Sequence, residues 1–414
     1  MDRKGFALFE IVIVLGIITL LVGGGLYFSG LQNNQKNPVE VGNDTLQKAK
    51  ALQQQSQTQT NQQQNVIDQL SGGSSVTSST QPRSTLPVMV VASPSGALKT
   101  LAEQHGIRFG ALYQSDLRNA DVHGDLYDRM FETEMSALTV GSFWGDQWGI
   151  HTSRTKFDFS LMDTMVNWGR AHNMELYAQT LVWYADVDGI PNWLKVTPNA
   201  DVEAVMNEHI DTVVGRYKGQ IKYWNVVNEA VDDGDTGTLR RGHKWFEAMG
   251  DDYIRKAFVR AHTADPSAVL YYNEYNIESN KAKFDGTKAL LTNLKKQNTP
   301  VYALGWQLHV RPGSFDPATL LARMNEIADL GFDNYITELD VQLPVNATVA
   351  DYEQQKQTYK SIVQTFLAAR RHKTIIVWGL RDGDPYWLTN NHPLLFDENY
   401  RKKSAYFGIQ ETLK

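Results

Sequence analysis

Trp224–Ala230 reads WNVVNEA, and the preceding Ile221–Tyr223 extends it to IKYWNVVNEA. An aromatic residue and two β-branched valines favour a strand, and the near-continuous apolar character is that of a strand covered on both faces, as in a parallel sheet. The run then ends in Asn228 and Glu229, a polar pair where apolar residues are easier to bury. Seven more runs share this design: RFGALYQ (108–114), FETEM (131–135), ELYAQTLVW (175–183), AVLYYNEYN (268–276), ALGWQLHV (303–310), NYITELDVQ (334–342) and TIIVWGL (374–380). Enough chain for a helix and loops separates each from the next. This spacing predicts an α/β chain folded as a (β/α)8 TIM barrel over residues 95–414. No glycine-rich phosphate fingerprint follows the first run, which disfavours a dinucleotide fold.

In such a barrel the reactive groups stand at the C-terminal strand ends. The polar residues closing the runs are therefore the first candidates: Glu132, Gln179, Asn228, Glu229, Asn276, Gln307, His309, Glu338, Asp340 and Asp382. Glu229 and Glu338 close the fourth and seventh runs, positions that face each other across the mouth of a closed barrel. Two carboxyl groups flanking one bond are what retaining glycoside cleavage requires, one protonating the leaving oxygen while the other attacks the sugar carbon.

Composition narrows the alternatives. Hydrophobic residues make up 42% of the 414 and charged residues 21%, ordinary for a globular protein. The net charge of −6 argues against a nucleic-acid footprint, which needs clustered Lys and Arg. With no cysteine in the chain, disulfides, thiolate metal sites and a Cys nucleophile are excluded. No metal or cofactor is expected.

The N-terminus has a different character. Phe6–Phe28 is an apolar run of bilayer-spanning length behind Arg3 and Lys4, which places the rest of the chain outside the cytoplasm. Glu10 interrupts it, and a carboxylate there is costly and therefore functional by default. The string KGFALFE, with Gly5, Phe6 and Glu10 in that order, resembles the type IV prepilin signal. That resemblance implies cleavage after Gly5, prepilin peptidase and a pilus or secretion assembly as partners, and pairing of Glu10 with a neighbouring subunit's terminal amine. A plain membrane anchor is the other reading. Residues 31–94, rich in Gln, Asn and Ser, bury too little apolar surface to fold and read as a low-complexity linker. The expected order is a pilin-like membrane helix over 1–30, a linker over 31–94 and a surface-displayed, extracytoplasmic catalytic domain over 95–414, anchored in the membrane or associated with a pilus.

The strings WNVVNEA, YYNEYNIE, LGWQLHV, ITELDV and VWGLRDGDPYWL, with the closing LLFDENYRKKSAYFGI, resemble glycoside hydrolase family 10, the endo-β-1,4-xylanases, in the family's order from about Leu98 to the C-terminus. The resemblance implies Glu229 as acid/base and Glu338 as nucleophile, with His309 orienting Glu338 and Asp340 supporting it. Asn228 would bond the sugar 2-hydroxyl, and Trp183, Trp378 and Trp387 would wall the sugar-binding subsites. Glu132, Gln179, Asn276 and Gln307 complete the expected substrate-binding set, and a xylan-like β-1,4-linked polysaccharide is the implied partner. Departures bear on specificity. Where the family usually reads Glu-Asn-Glu-Met-Lys-Trp, the chain has ETEMSA (132–137); Gln179 and Tyr184 replace two histidines, and Glu274 replaces an aspartate. A β-glycanase of changed sugar specificity and a non-catalytic, pilus-associated glycan-binding protein are the alternative readings.

Overall fold

The computed structural model describes residues 96–114, 124–145, 149–185, 189–384 and 391–414. The membrane-helix and linker readings of residues 1–94, with Gly5, Phe6 and Glu10, lie outside the described residues, as does Trp387. Among the described residues no helix is long and apolar enough to cross a membrane.

The first part of the fold runs α1 (Leu98–Gln104), β1 (Arg108–Leu112), α2 (Gly124–Glu134), β2 (Ala137–Gly141), α3 (Ser160–Ala171), β3 (Glu175–Gln179), β4 (Val182–Trp183), α4 (Asn192–Lys195) and α5 (Asn199–Arg216). It continues through β5 (Tyr223–Asn228), α6 (Lys244–Met249), α7 (Asp252–Ala264), β6 (Val269–Glu274), α8 (Lys281–Lys296), β7 (Ala303–Trp306) and β8 (His309–Val310). The last elements are α9 (Pro317–Asp329), β9 (Asp333–Val341), α10 (Val349–Ala368), β10 (His372–Val377) and α11 (Ser404–Leu413). Strands pair in the order β10-β1-β2-β3-β5-β6-β7-β9, and β9 pairs with β10 to close the ring. Every pairing between these strands is parallel. The short β4 and β8 are extensions beyond β3 and β7, lying against β5 and β9. This is the (β/α)8 barrel that the runs predict.

The barrel interior is filled rather than open. Ala137, Tyr177, Tyr271, Ala303, Tyr335 and Ile376 form an inner cluster. Tyr177 stacks on Tyr223 at 4.3 Å between ring centroids, and Tyr335 meets Tyr177 edge-on at 6.1 Å. These rings form a solid floor on the N-terminal side, and the polar strand ends stand above it. Outside, helices lay apolar stripes against the strands, as α5 does with Val202, Val205, Met206, Ile210, Val213 and Val214 at helical spacing.

The second run is where the sequence reading fails. FETEM is the last part of helix α2, and the strand is the next apolar stretch, ALTVG (137–141). Tyr127, Phe131 and Met135, four residues apart, are all buried, which is a helical stripe. Five residues of apparent alternation are too few to separate a period of 2 from one of 3.6. Glu132 therefore closes no strand: it lies near the C-terminal end of α2, at the N-terminal end of the barrel, and pairs with His172 at 2.9 Å. Glu134 holds chain ends together, accepting from the Leu98 amide at 3.0 Å, from Lys402 at 2.8 Å and from the Tyr406 hydroxyl at 2.8 Å. Ser136 bonds the Phe109 backbone. The segment that closes the second strand is Gly141–Gly145, GSFWG, with no ionisable side chain.

Candidate active site

β5 ends at Asn228 and the next residue, Glu229, turns into a left-handed backbone conformation with φ 57°. A non-glycine residue there is held by its surroundings. The Glu229 amide donates to Asn273 O at 2.9 Å, and its carbonyl accepts from Arg240 Nε at 3.0 Å. Thus turned, the side chain lies only 8% exposed among neutral donors. Oε1 accepts from Asn228 Nδ2 at 2.9 Å and Gln307 Nε2 at 2.8 Å, and Oε2 accepts from the Trp183 indole at 2.8 Å.

Glu338 reaches the site differently, from within the nine-residue strand β9. Residues two apart in a strand share a face, so Glu338 and Asp340 present carboxyls side by side. The register of β8 on β9 sets His309 against Asp340. The His309 imidazole accordingly bridges the two acids, with Nδ1 at 2.5 Å from Asp340 Oδ2 and Nε2 at 3.2 Å from Glu338 Oε2.

A relay of amides joins the two carboxyls. Asn228, which donates to Glu229, accepts through Oδ1 from Asn273 Nδ2 at 2.9 Å; the same nitrogen lies 2.7 Å from Glu338 Oε1. Asn225 also donates to Asn228 Oδ1 at 2.9 Å, and Thr337 donates to Asn273 Oδ1 at 2.6 Å, which fixes the orientation of both amides. The Asn273 side chain lies across Gly305 of β7, where an added Cβ would overlap the amide. Gly305 is therefore part of the site's construction.

The electrostatics of the two carboxyls differ. Burial pushes the Glu229 carboxyl up to about 7, with the Glu274 and Glu338 charges adding to it and the Gln307 and Trp183 bonds opposing. Burial alone would drive the His309 imidazole down, but the Asp340 and Glu338 carboxylates outweigh it and hold His309 well above its ordinary value. Glu338 thus faces a cation where Glu229 faces neutral donors and neighbouring anions. A carboxyl that keeps its proton near neutrality beside one in contact with a cation is an acid/nucleophile arrangement.

Of the expected residues, the fold brings together Trp183, Asn228, Glu229, Gln307, His309, Glu338 and Asp340. Trp378 is buried beside His309, with ring centroids 6.4 Å apart. Gln179 ends β3 at 2% exposure, beside the buried Tyr271 hydroxyl. Asn276 is exposed on the loop after β6. Asn273 was missed, although a signal for it existed: Tyr271 belongs to the inner cluster, and Asn273, two residues further along β6, shares its face closer to the mouth. Among the described residues no group of three or more His, Asp or Glu is placed to hold a metal ion.

The family model described as Glycosyl hydrolase family 10 matches residues 97–412. Endo-1,4-beta-xylanase B of Thermotoga neapolitana is 30% identical over 325 residues, 77% of this chain and 91% of that protein. Exoglucanase XynX of Acetivibrio thermocellus is 32% identical over 320 residues, 73% of this chain, which spans only 28% of that longer relative. Among solved structures, xylanase 10B from Thermotoga petrophila RKU-1 in complex with xylobiose superposes with a TM-score of 0.71 at 31% identity, covering 77% of this chain and 97% of that one.

Proposed function

The chain belongs to glycosyl hydrolase family 10, and we propose that within it the chain acts as an endo-β-1,4-xylanase that cleaves xylan by double displacement. It is a glycoside hydrolase of a retaining family. In our reading Glu338 attacks the anomeric carbon while Glu229 gives its proton to the departing glycosidic oxygen. A covalent glycosyl-enzyme forms and the aglycone leaves. Glu229, now ionised, takes a proton from water, which attacks the same carbon and releases Glu338. His309, held by Asp340, orients Glu338 and balances its charge; Asn228 bonds the sugar 2-hydroxyl; Trp183 and Trp378 pack indole faces against the sugar rings. One observation carries this reading above the others: the two carboxyls, joined by the Asn228–Asn273 relay, are held in opposite environments, one beside a cation and one buried among neutral donors and anions.

Xylan as substrate rests on the xylanase relatives. A β-glycanase of altered preference is favoured by the second strand's end, where GSFWG offers no charged donor to sugar hydroxyls, and by Gln179 and Tyr184 at the third. In the remaining part of the proposal, residues 1–30 are a type IV pilin-like signal and membrane helix, and residues 31–94 tether the catalytic domain outside the cytoplasm. That part is supported by the sequence alone.

The test separates the two carboxyls by leaving group. Glu229→Ala should slow xylan hydrolysis by on the order of 10²- to 10⁴-fold, yet nearly spare the first step on an aryl xyloside whose leaving group needs no proton. Azide should then accelerate turnover and give a glycosyl azide of the substrate's configuration. Glu338→Ala should lose both substrates alike. Equal loss on both substrates for Glu229→Ala, with no azide effect, would overturn the assignment.

A further inference from the structure

Behind Glu229 lies a group of charges that the double-displacement chemistry does not itself use. Glu274, the last residue of β6, and Lys283, on α8, are both fully buried and lie 3.0 Å apart. Burying such a pair is costly unless every lone pair and proton is matched, and here the matching is unusually complete. Glu274 Oε1 accepts from Lys283 and from the Tyr275 amide at 3.1 Å, and Oε2 accepts from the Tyr272 hydroxyl at 2.5 Å and the Val231 amide at 3.2 Å. Burial pushes the Glu274 carboxyl upward, while the Lys283 charge and the Tyr272, Lys283 and Val231 bonds oppose it, and the four donors match the ionised form. Lys283 also reaches Asp233 at 2.7 Å and lies 3.2 Å from the Tyr275 ring centroid, and Asn280 caps the start of its helix.

Two of these bonds converge on the chain immediately after Glu229. Val231 N–H donates directly to Glu274, and Ala230 N–H donates at 2.8 Å to the Tyr272 hydroxyl, which in turn donates to Glu274. We propose that Glu274, secured by Lys283, is the positioning residue of the acid/base: it grips the Val231 amide directly and the Ala230 amide through the Tyr272 hydroxyl, and so fixes the left-handed turn on which the Glu229 carboxyl is presented. Side-chain length decides whether this works. An aspartate carboxylate would sit ~1.5 Å nearer the backbone, too short to hold Val231 N–H while keeping Lys283.

The same anion acts on the proton of Glu229. Besides Glu274, the ionisable groups facing Glu229 are Glu338 from β9, Tyr184 beyond β4, Tyr275 beyond β6 and the Arg240 guanidinium on its carbonyl. After burial, Glu274 contributes most to raising the Glu229 carboxyl, ahead of Glu338. Position and proton affinity therefore share one residue.

The inference rests on Glu229 being the acid/base, and the experiment keeps the two apart. The pH dependence of kcat/KM on a xylooligosaccharide is compared for wild type, Glu229→Gln, Glu274→Gln and Glu274→Asp, each checked by thermal melt. Glu229→Gln should abolish the basic limb; if the limb survives, the acid/base assignment fails first. With that limb assigned, Glu274→Gln removes the anion and should move it to lower pH by on the order of one unit. Glu274→Asp keeps the charge and loses the grip, so the limb should stay in place while turnover of the xylooligosaccharide falls about tenfold, as for a misplaced proton donor, and an aryl xyloside is spared. An unmoved limb in a folded Glu274→Gln, or an aspartate variant that matches wild type or loses both substrates equally, overturns the proposal. Should Glu274→Gln fail to fold, the substrate split of Glu274→Asp decides alone.

Discussion

Replacing Glu229 by Gln should change the protein's stability in a way that depends on pH, and the size of the effect can be worked out. The carboxyl is raised from the ordinary 4.5 to about 7 by burial and by the neighbouring Glu274 and Glu338 charges. Below pH 4.5 folded and unfolded chains both hold this proton, and the group's relative contribution to stability is fully present. As pH rises toward 7 the unfolded chain ionises first, so the contribution is lost progressively and is exhausted above about 7. At about 1.4 kcal/mol for each tenfold difference in proton affinity, the loss across that window is roughly 3 kcal/mol. Glutamine does not titrate and escapes it.

Glutamine carries a cost of its own, because Asn228, Gln307 and Trp183 all aim donors at the two oxygens and an amide NH2 would meet one of them. That mismatch costs about 1–3 kcal/mol, but it is the same at every pH. The readout is therefore the slope: urea unfolding of wild type and Glu229→Gln is compared at pH 4, 6 and 8, so that other titrating groups cancel. The difference should move in favour of the variant by roughly 3 kcal/mol between the extremes. A flat difference, or a drift in favour of wild type, would mean that Glu229 ionises freely in the fold and would remove the physical basis for its holding a proton near neutral pH.

Gly305→Ala places a methyl group against the Asn273 amide and should break the relay to Glu338; xylooligosaccharide kcat is expected to fall at least tenfold, and a variant with unchanged kcat would show that the relay is not needed. For the N-terminal segment, Gly5→Val should leave the precursor uncut, whereas mass spectrometry of the wild type should find a mature chain beginning at Phe6; a mature terminus beyond Leu31 would exclude both pilin-like processing and permanent anchoring.

What was readable in the sequence follows from how each strand is buried. NYITELDVQ and IKYWNVVNE are covered on both faces, so apolar character runs until the polar strand end, and β9 and β5 lie where those runs predict. ALTVG escapes the sequence reading because FETEM (131–135), at the end of an amphipathic helix just before it, imitates alternation. That shift put Glu132 at the wrong end of the barrel and aligned the family's acidic and basic sugar-binding groups with the wrong residues. Asn273 and Glu274 were out of reach for another reason: the partners that give them their roles, Asn228 and Glu338 for the one and Val231 for the other, lie 45, 65 and 43 residues away along the chain, and only barrel closure brings these strand ends together. Glu274 did register as a departure from the family, but its reach to Val231 could not be read without the turn at Glu229.

The two carboxyls also differ in how the backbone presents them, and this bears on the division of labour. Glu338 lies inside strand β9, between the pairings at Ile336 and Leu339, and its carboxyl is held by Asn273 on one oxygen and His309 on the other. A nucleophile benefits from such rigidity, since attack on carbon tolerates little displacement. Glu229 stands one residue beyond its strand in a conformation that costs of order 1–3 kcal/mol, and it must be held from outside by Asn273, Arg240, Tyr272 and Glu274. The turn buries its carboxyl near the Glu274 and Glu338 anions, and burial and these charges keep a proton on it against the opposing Gln307 and Trp183 bonds. The strained turn is thus what gives one of two identical side chains the role of acid.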